Sequence, residues 1–398
     1  MTGLPFPPSR SSAVEQLTKF LPAAGRPYDV GRNTDAGPGR PSAVSRLSPY
    51  VRYRLITEHD VVSHVLGAHS LKAAEKFVQE VLWRTYWKGW LEMRPSVWSR
   101  FLQERDYQRD TFPAMHDVMK AEAGQTGIEG FDDWARELVE AGYLHNHARM
   151  WFASIWIFTL RLPWSLGADF FLRHLLDADP ASNTLSWRWV AGLQTCGKTY
   201  LATTDNIARY TQGRFAPRGL AQEPFELTEA PLEPARHLKE LTHYDASQSS
   251  ILLVTHEDMH PESIFDQSGF RSVLVAADPD LLWGDGARAF ARSAALDATL
   301  RAGEHFGCAA NLIERLNAPA LIAAADAAGV KQIVTPYAPV GPVADALAHL
   351  APLLAREGIR FVQVRRAWDS SFWPHAKKGF FPFKEQIPAV LREAGFAT

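Results

Sequence analysis

The chain contains 398 residues, with 42 Lys and Arg against 44 Asp and Glu, for a formal charge of −2. This length predicts two or three domains, and the balanced charge excludes a tail-like protein that binds nucleic acid through overall basicity. The two cysteines, Cys196 and Cys308, exclude a disulfide framework and a four-cysteine metal or iron–sulfur site, and they are typical of a cytoplasmic protein. No apolar run is long enough to predict a membrane span, and no histidine cluster has the spacing of metal ligands.

The first half of the chain is predicted to be helical. Residues 1–49 are rich in Pro, Gly, Arg and Ser, and residues 70–93 then carry apolar side chains at i, i+3, i+4 and i+7, the period of an amphipathic helix. Further helices are indicated at residues 130–144 and 145–162. No convincing alternating strand pattern occurs before about residue 250.

The second half has a different pattern. Repeated Pro and Gly over residues 213–249 predict a linker. After it, β-branched runs at residues 250–258, 272–278, 331–337 and 359–365 alternate with helical patterns at 287–307, 319–329 and 343–358, which favours a parallel sheet. We therefore expect an α plus α/β fold, with a helical domain at 1–212, a linker at 213–249, a Rossmann-like α/β domain at 250–366 and a connecting segment and helix at 367–398.

One helical segment combines three chemically different side chains. Glu80, Trp83 and Arg84 stand at i, i+3 and i+4, so a carboxylate, an indole and a guanidinium share one helix face. This pattern is typical of a polar site, and equally of a surface salt bridge beside a core tryptophan.

A second segment repeats this spacing. Asn146, Arg149 and Met150 lie beside a long apolar run, which indicates a buried polar site rather than a solvated face. Because a buried guanidinium needs an anionic partner, we expect Arg149 to pair with a carboxylate of the acidic loop that contains Asp177 and Asp179.

Tryptophan is unusually concentrated in the helical half. Ten of the 13 tryptophans fall between Trp83 and Trp189. Such density is typical of a large aromatic core, and also of a base-stacking surface or a path for electron transfer.

Several ordered motifs within about residues 26–212 resemble the flavin-binding core of the photolyase/cryptochrome family. The longest stretch runs over residues 126–192, from TGIEGFDDWARELVEAGYLHNHARM to PWSLGADFFLRHLLDADPASNTLSWRWVAG. SAVSRLSPY at 42–50 is similar to the phosphate-binding segment of the family, and FVQEVLWR at 77–84 is similar to its substrate- and flavin-facing helix. The resemblance implies a helical domain that binds FAD.

The resemblance also implies which residues hold the cofactor. The matching positions are Tyr28, Ser45, Arg46, Leu47 and Ser48 on the phosphate and ribose side, and Arg84, Asn146, Arg149, Asp177, Asp179 and Asn183 around the flavin and ribose. Arg149 would pair with Asp177, and Asn183 falls where the family faces the flavin N5 atom. An amide at this position, the photolyase-type choice, can accept a hydrogen bond without supplying a carboxylic proton.

The same family core binds a pyrimidine dimer extruded from DNA. Glu80, Trp83, Met150 and Trp189 match its dimer-contacting positions, where Glu80 would meet a thymine carbonyl edge and the indoles would stack on bases. Trp187 and Trp164 match the inner two members of the tryptophan electron-transfer chain of the family. The outermost position, near Thr111, holds no tryptophan.

The α/β half resembles the amino-terminal domain of the same family, which implies that the two domains occur in reversed, circularly permuted order. In the family this domain can hold an antenna chromophore, whose identity this sequence does not indicate. Residues 375–388 resemble the connection that follows that domain. Within them Lys377, Lys378, Phe380, Phe381 and Phe383 are compatible with a basic and aromatic DNA-binding edge, or with a domain-docking segment that carries solvated lysines.

The resemblance implies light-driven repair of cyclobutane pyrimidine dimers, in which FAD donates an electron to damaged DNA, single- or double-stranded. His147, the missing outer tryptophan and a shortened helical end favour the alternative of a blue-light photoreceptor that lacks repair activity and acts through an unidentified protein partner. A flavoprotein without a light-dependent function is a third possibility.

Overall fold

The computed structural model describes residues 6–266 and 269–397 and confirms the expected order of helices first and an α/β sheet second. The helices of the first part are α1 (Arg10–Phe20), α2 (Arg26–Gly31), α3 (Ser48–Arg52), α4 (Glu58–Ala68), α5 (Leu71–Glu92), α6 (Ser96–Thr111), α7 (Met115–Glu122), α8 (Phe131–Ala141), α9 (Asn146–Ser154), α10 (Trp164–His174), α11 (Pro180–Val190) and α12 (Thr204–Tyr210). A π-helical turn over Ile155–Thr159 continues α9. Among the residues described, no helix has both the length and the apolar character needed to cross a membrane.

Capping residues in the local sequence set where α5 and α11 begin. These two helices form walls of the candidate site described below. The Ser70 hydroxyl accepts a hydrogen bond from the Ala73 N–H at the start of α5. The Asp179 carboxylate accepts hydrogen bonds from the N–H groups of Ala181 and Ser182 at the start of α11, both at 3.0 Å. Each cap satisfies amide groups that have no partner inside the helix, so each helix starts at a defined residue.

The second part is a parallel sheet with strand order β3-β2-β1-β4-β5. Its strands are β1 (Ser250–Thr255), β2 (Phe270–Ala276), β3 (Ala309–Ile313), β4 (Gln332–Pro336) and β5 (Arg360–Val364), and its helices are α13 (Asp285–Phe306), α14 (Ala318–Ala328) and α15 (Pro342–Arg356), followed by α16 (Ala367–Phe372) and α17 (Phe380–Glu393). Strand β1 is buried along its whole length, as expected for the centre of a sheet with helices on both faces. One face packs against α14 and α15, and the other joins the core of the helical part.

Strand β3 is the element of the sheet that the sequence pattern misses. It lies at the edge of the sheet, its residues are exposed or half-buried, and two of its five residues are alanine. An edge strand of this kind lacks the continuous β-branched run that marks a buried strand. The patterns at residues 250–258, 272–278, 331–337 and 359–365 each coincide with a strand, with differences of at most three residues at either end.

Residues 213–249 contain no helix or strand and run along the surfaces of both parts. Near its middle this segment is tied to the helical part, where the Arg236 N–H donates to the Met93 carbonyl oxygen at 2.8 Å. Farther along it is tied to the sheet, where the Arg360 guanidinium donates to the His243 carbonyl oxygen at 2.6 Å. The segment therefore bridges the two parts through hydrogen bonds to its backbone.

Buried ion pairs join the helical part to the carboxyl end of β1. Arg52 donates to Glu257 at 2.8 Å, and the Lys88 ammonium lies 3.5 Å from the other oxygen of the same carboxylate. Arg54 donates to Asp258 at 3.1 Å and to Asp369 of α16 at 2.7 Å. Because these side chains are almost wholly buried, each charge depends on its partner for the solvation that it loses.

We expect the buried interface to make the stability of the protein fall in acid. Burial lowers the pKa of His256, next to Glu257, from 6.5 to about 4. Between those pH values the unfolded chain binds a proton at His256 that the folded chain does not, so the free energy of unfolding should decrease as the pH falls from about 6.5 to about 4, with about 3 kcal/mol of the decrease from His256 alone. Urea unfolding across this pH range measures the slope.

Two variants make this prediction specific. His256→Gln should make the slope between about pH 6.5 and 4 shallower by the share of His256. The rest of the slope should remain, because burial also lowers the pKa values of His145, His147 and His260. His349→Gln, at an exposed position of α15, should leave the slope unchanged. A His256→Gln slope equal to that of the parent would show that His256 does not cause the acid sensitivity.

Candidate functional site

A cavity of about 390 Å³ opens between α5, α9 and α11, and we call it the central cavity. Ten residues singled out from the sequence line it: Glu80, Trp83, Arg84, Asn146, Arg149, Met150, Asp177, Asn183, Trp187 and Trp189. Its volume lies within the roughly 300–1,000 Å³ range of small-molecule sites. The structure therefore brings the predicted substrate residues and part of the predicted cofactor residues to one place, and the rest of the cofactor group lies outside the cavity wall.

Helical spacing places the side chains of two cavity walls, one on α5 and one on α9. On α5, Glu80, Trp83, Arg84 and Trp87 recur at three- and four-residue intervals and share one face. The α9 wall has the same spacing, from Asn146 to Ala153. The helix period, rather than proximity in the chain, places these side chains around one opening.

Arg149 and Asp177 form a two-pronged ion pair in the wall. The two terminal nitrogens of the guanidinium donate to the two carboxylate oxygens at 2.9 and 2.7 Å, and Arg149 Nε donates to the Leu144 carbonyl oxygen at 3.0 Å. Asp177 is almost fully buried, with a side-chain exposure of 4%. The pairing holds the guanidinium in one plane and leaves a fixed cation at the cavity surface.

Glu80 and Asn146 meet from α5 and α9. Asn146 Nδ2 donates to a Glu80 carboxylate oxygen at 3.3 Å. The surrounding protein raises the pKa of the Glu80 carboxyl through loss of hydration, although the side chain is open to the cavity, and Arg32 opposes this effect. A carboxyl with a raised pKa has a larger protonated fraction and can donate as well as accept hydrogen bonds.

Asn183 offers a hydrogen-bond acceptor to the cavity. Its amide nitrogen donates to the Ala168 carbonyl oxygen at 2.8 Å, so the amide orientation is set by the backbone of α10. The amide oxygen is then the atom that Asn183 can present to a ligand, as an acceptor without a proton to give.

Asp179 does not line the central cavity. It is fully buried, caps α11 and lies 2.5 Å from a terminal nitrogen of Arg84. Burial acts to raise the pKa of Asp179, but the nearby charges of Arg84, Lys88 and Arg52 outweigh it and hold the pKa below its ordinary value. In the structure, Asp179 joins α5 to α11 as an ion-pair partner.

Residues 45–48 lie near the cavity but outside its wall. Arg46 has a positive φ of 54°, and its guanidinium lies 5.0 Å from the ring centre of Tyr143. Arg149 lies 5.5 Å from the same ring, so Tyr143 connects this segment to the cavity wall. Tyr28 is buried against Phe77 at 5.0 Å between ring centres, also outside the cavity wall.

The two tryptophans that the resemblance assigns to electron transfer lie in different parts of the helical half. Trp187 lines the central cavity and has Phe171 and Trp156 as edge-on neighbours, at 5.1 and 6.3 Å between ring centres. Trp164 lines a separate cavity of about 720 Å³ and packs on Phe101 at 5.7 Å. Trp187 and Trp164 thus line different cavities.

Sequence reasoning misses residues that shape this site from elsewhere. Gly167 on α10 leaves room for the Trp187 ring, since a Cβ atom there would collide with it, and a glycine inside a helix is the signal that points to such close packing. Phe380 of α17 stacks on Trp83, with ring centres 3.6 Å apart and planes inclined by 10°. The sequence places Phe380 in a DNA-binding edge or in a docking segment, and its buried stack on Trp83 agrees with docking, but nothing in the local pattern identifies Trp83 as the partner.

We expect Asp177→Ala to destabilise the protein, because it leaves the Arg149 charge partly buried and unpaired. The free energy of unfolding should fall by about 3 kcal/mol, measured by urea denaturation. Asp177→Asn, which keeps one acceptor oxygen, should cost less. Glu233→Ala, which breaks the exposed Arg236–Glu233 pair, should change stability by less than about 1 kcal/mol. Equal stability of Asp177→Ala and the parent would contradict a structural role for this pair.

Comparison with known proteins gives three further findings. Residues 77–219 match the family described as the FAD binding domain of DNA photolyase. The deoxyribodipyrimidine photo-lyase of Streptomyces griseus is 34% identical over 180 residues, which cover 45% of this chain and 38% of that protein. A protein of the same name from Thermus thermophilus is 31% identical over 246 residues, which cover 60% of this chain and 56% of that protein.

A crystal structure of a bacterial class III photolyase from Agrobacterium tumefaciens covers 52% of this chain and 43% of its own, with 27% identity and a TM-score of 0.44. The chain spans 38% and 56% of the two curated relatives named above. The matched region holds α5, α9 and α11, the three helices that form the central cavity. The cofactor of this helical region is FAD, and the region that contains residues 77–219 is similar to the FAD-binding domain of the photolyase/cryptochrome family.

Proposed function

We propose that this protein is a light-dependent lyase that uses FAD to split cyclobutane pyrimidine dimers in DNA. The observation that supports this proposal best is the central cavity itself, where Glu80, Trp83, Met150 and Trp189 face the same space as Arg149, Asn183 and Trp187. A cofactor and an extruded base that share one cavity are near enough for electron transfer between them.

The side chains present fit a polar, flat cofactor. Within the described structure, Ser182 Oγ and Trp187 Nε1 are buried at the cavity wall without a hydrogen-bond partner, as is Arg46 Nε nearby. Buried polar atoms of this kind are normally satisfied, so a ligand that bears donors, acceptors and phosphates supplies what the protein leaves open. Bound FAD would supply the electron that enters the dimer after excitation by blue light and returns once the ring has opened.

The chain holds this cofactor through complementary charges and amides. In the proposal, Arg149 and Asn146 border the flavin ring system, and Asp177 keeps the Arg149 guanidinium in plane. The Asn183 amide oxygen accepts a hydrogen bond from the flavin. Tyr28 and the segment of Ser45, Arg46, Leu47 and Ser48 lie toward the phosphates and ribose. Arg84 lines the cavity, Asp179 lies behind its wall, and the ion pair between them aligns α5 with α11.

Other side chains of the same cavity contact the lesion in this proposal. Glu80, with its raised pKa, hydrogen bonds the carbonyl edge of one thymine, and Asn146 at 3.3 Å holds the carboxyl in place. Trp189, which lies against Tyr200 at 5.8 Å, offers an aromatic surface to a base, and Met150 supplies adaptable apolar contact. Trp83 is held by Phe380 at 3.6 Å and Trp87 at 5.2 Å between ring centres, and it lines the cavity as a further aromatic contact for the substrate.

Trp187 is proposed as the residue that passes electrons to the cofactor during photoreduction. It is a tryptophan whose indole is buried at the cavity wall. Its ring contact with the fully buried Trp156 gives it a second indole neighbour beside Trp164, the donor that the resemblance implies.

A repair assay tests the proposal. Reduced protein should restore an oligonucleotide that contains a cyclobutane thymine dimer under blue light, and should leave it unchanged in the dark. A substrate with a (6-4) lesion, assayed in parallel, reports lesion preference. If the protein neither repairs the dimer nor binds damaged DNA more tightly than undamaged DNA, the repair proposal fails and the photoreceptor alternative replaces it.

We expect Trp189→Ala to weaken binding of a dimer-containing single strand by at least about fivefold, because a stacking surface for the extruded base is lost. FAD content, read from the visible spectrum, should stay at the level of the parent. Trp189→Phe keeps an aromatic face and should retain most of the affinity. Loss of FAD and of folding in Trp189→Ala, without a specific loss of lesion binding, would show that Trp189 is a core residue.

We expect Glu80→Gln to slow repair more than it weakens binding, because the amide keeps the shape of the side chain but cannot share a proton in the same way. Loss of one hydrogen bond made only during the reaction should lower the repair rate by roughly tenfold, measured as the fraction repaired per photon absorbed. The pH profile gives the second readout: the parent should lose activity as the pH rises through the raised pKa of Glu80, and the variant should not. Identical profiles would exclude a protonated Glu80 from the reaction.

A further inference from the structure

The segment between α16 and α17, together with the first turn of α17, carries exposed charged and aromatic side chains that neither the fold nor the cavity uses. The side chains of Lys377, Lys378 and Phe381 are exposed, and Phe381 has 80% of its surface open to solvent. We call these three residues the rim patch. Phe380 and Phe383, on either side of Phe381, are by contrast buried in the core.

Backbone hydrogen bonds hold the rim patch against α5. The Tyr86 hydroxyl donates to the Lys378 carbonyl oxygen at 2.8 Å, and the Arg94 guanidinium donates to the Lys377 carbonyl oxygen at 2.8 Å. Since Tyr86 of α5 and Arg94, two residues after its end, hold the main chain of the two lysines, their exposed ammonium groups can meet a partner outside the protein. The rim patch is therefore a positioned surface.

The rim patch adjoins the central cavity through one aromatic stack. Phe380 lies on Trp83 at 3.6 Å, and Trp83 lines the cavity. Phe381 follows Phe380 directly, so the exposed ring begins one residue, about 3.8 Å along the chain, from a side chain that touches the cavity wall. A strand whose extruded base entered the cavity would pass over this region.

The chemistry of the rim patch matches single-stranded nucleic acid. Two ammonium groups attract backbone phosphates, and an exposed phenyl ring offers a stacking surface that any base can use. Lys384 is not part of the patch, because its ammonium lies 3.3 Å from Glu75 and is neutralised there. With a formal charge of −2 for the whole chain, DNA binding requires such a local concentration of positive charge.

We propose that Lys377, Lys378 and Phe381 bind the DNA strand that flanks the lesion, with the lysines on phosphates and Phe381 stacked on an unpaired base. This inference deepens the proposed function, on which it rests for the identity of the substrate. It assigns part of DNA recognition to the carboxyl-terminal segment, which lies outside the region that matches the FAD-binding family.

Binding of a fluorescent single strand of about 12 nucleotides, measured by anisotropy over a range of salt concentrations, separates the two roles. Phe381→Ala should weaken binding by at least about fivefold with no change in salt dependence, and Phe381→Trp should restore it. Lys377→Ala combined with Lys378→Ala should make the slope of log affinity against log salt shallower by about 1.4, the value for two phosphate contacts to a single strand.

Matched controls lie on the sheet side of the protein. Leu300→Ala removes an apolar side chain of 76% exposure from α13, and Lys331→Ala removes one surface ammonium before β4. Both should bind the strand as the parent does. Melting temperatures of the rim-patch variants should also equal that of the parent, since their side chains are exposed, whereas Phe380→Ala should lower the melting temperature.

A thymine dinucleotide dimer, which carries no flanking strand for the rim patch to bind, separates this inference from the proposed function. If the parent splits the dinucleotide but the rim-patch variants bind the long strand with the affinity and salt slope of the parent, the inference is overturned and the proposed function stands. If the parent fails to split the dinucleotide but strand binding depends on the rim patch, the proposed function fails and the DNA surface stands. If the parent binds no strand at all, the inference is overturned.

Discussion

The ion pair between Arg84 and Asp179 is the interaction on which the site depends most. It joins α5 to the first turn of α11, and these two helices supply most of the cavity wall. Asp179 also accepts hydrogen bonds from two N–H groups of α11, so the same carboxylate fixes where that helix starts and which helix it faces. Asn183 and Trp187, farther along α11, are placed as a consequence.

This ion pair continues into the buried network that joins the two parts of the molecule. Arg84 donates to Glu58 at 3.2 Å, and Glu58 lies 3.6 Å from Arg54, which pairs with Asp258 and Asp369. A chain of alternating charges therefore runs from the cavity wall to the sheet. Because each buried charge would be costly alone, removal of one member would leave its neighbours uncompensated. Because of this network, the geometry of the site depends on how the sheet packs against the helical part.

The end of the chain returns to the helix that carries the site. Trp373 packs so closely on α5 that a Cβ atom at Gly89 would lie 2.8 Å from its ring, and Phe380 stacks on Trp83 one to two turns away. One face of α5 thus lines the cavity while another receives the carboxyl-terminal segment. The order of the domains, helical before α/β, is observed in this chain, and its origin in a circular permutation remains a prediction.

The sequence by itself determined what depends on local periodicity and on ordered motifs. The helical spacing of Glu80, Trp83 and Arg84, the acidic loop that supplies Asp177, and four of the five strands could be predicted, because each pattern is confined to a short stretch of chain. Tertiary structure decided the rest. Asp179 does not line the cavity but pairs with Arg84, and Trp164 lines a different cavity from Trp187. Phe380 stacks on Trp83, although the two residues are almost 300 positions apart in the chain. Such contacts join distant segments, and their partners are chosen by the burial of charge and by the shape of packed rings, which no local pattern of residues encodes.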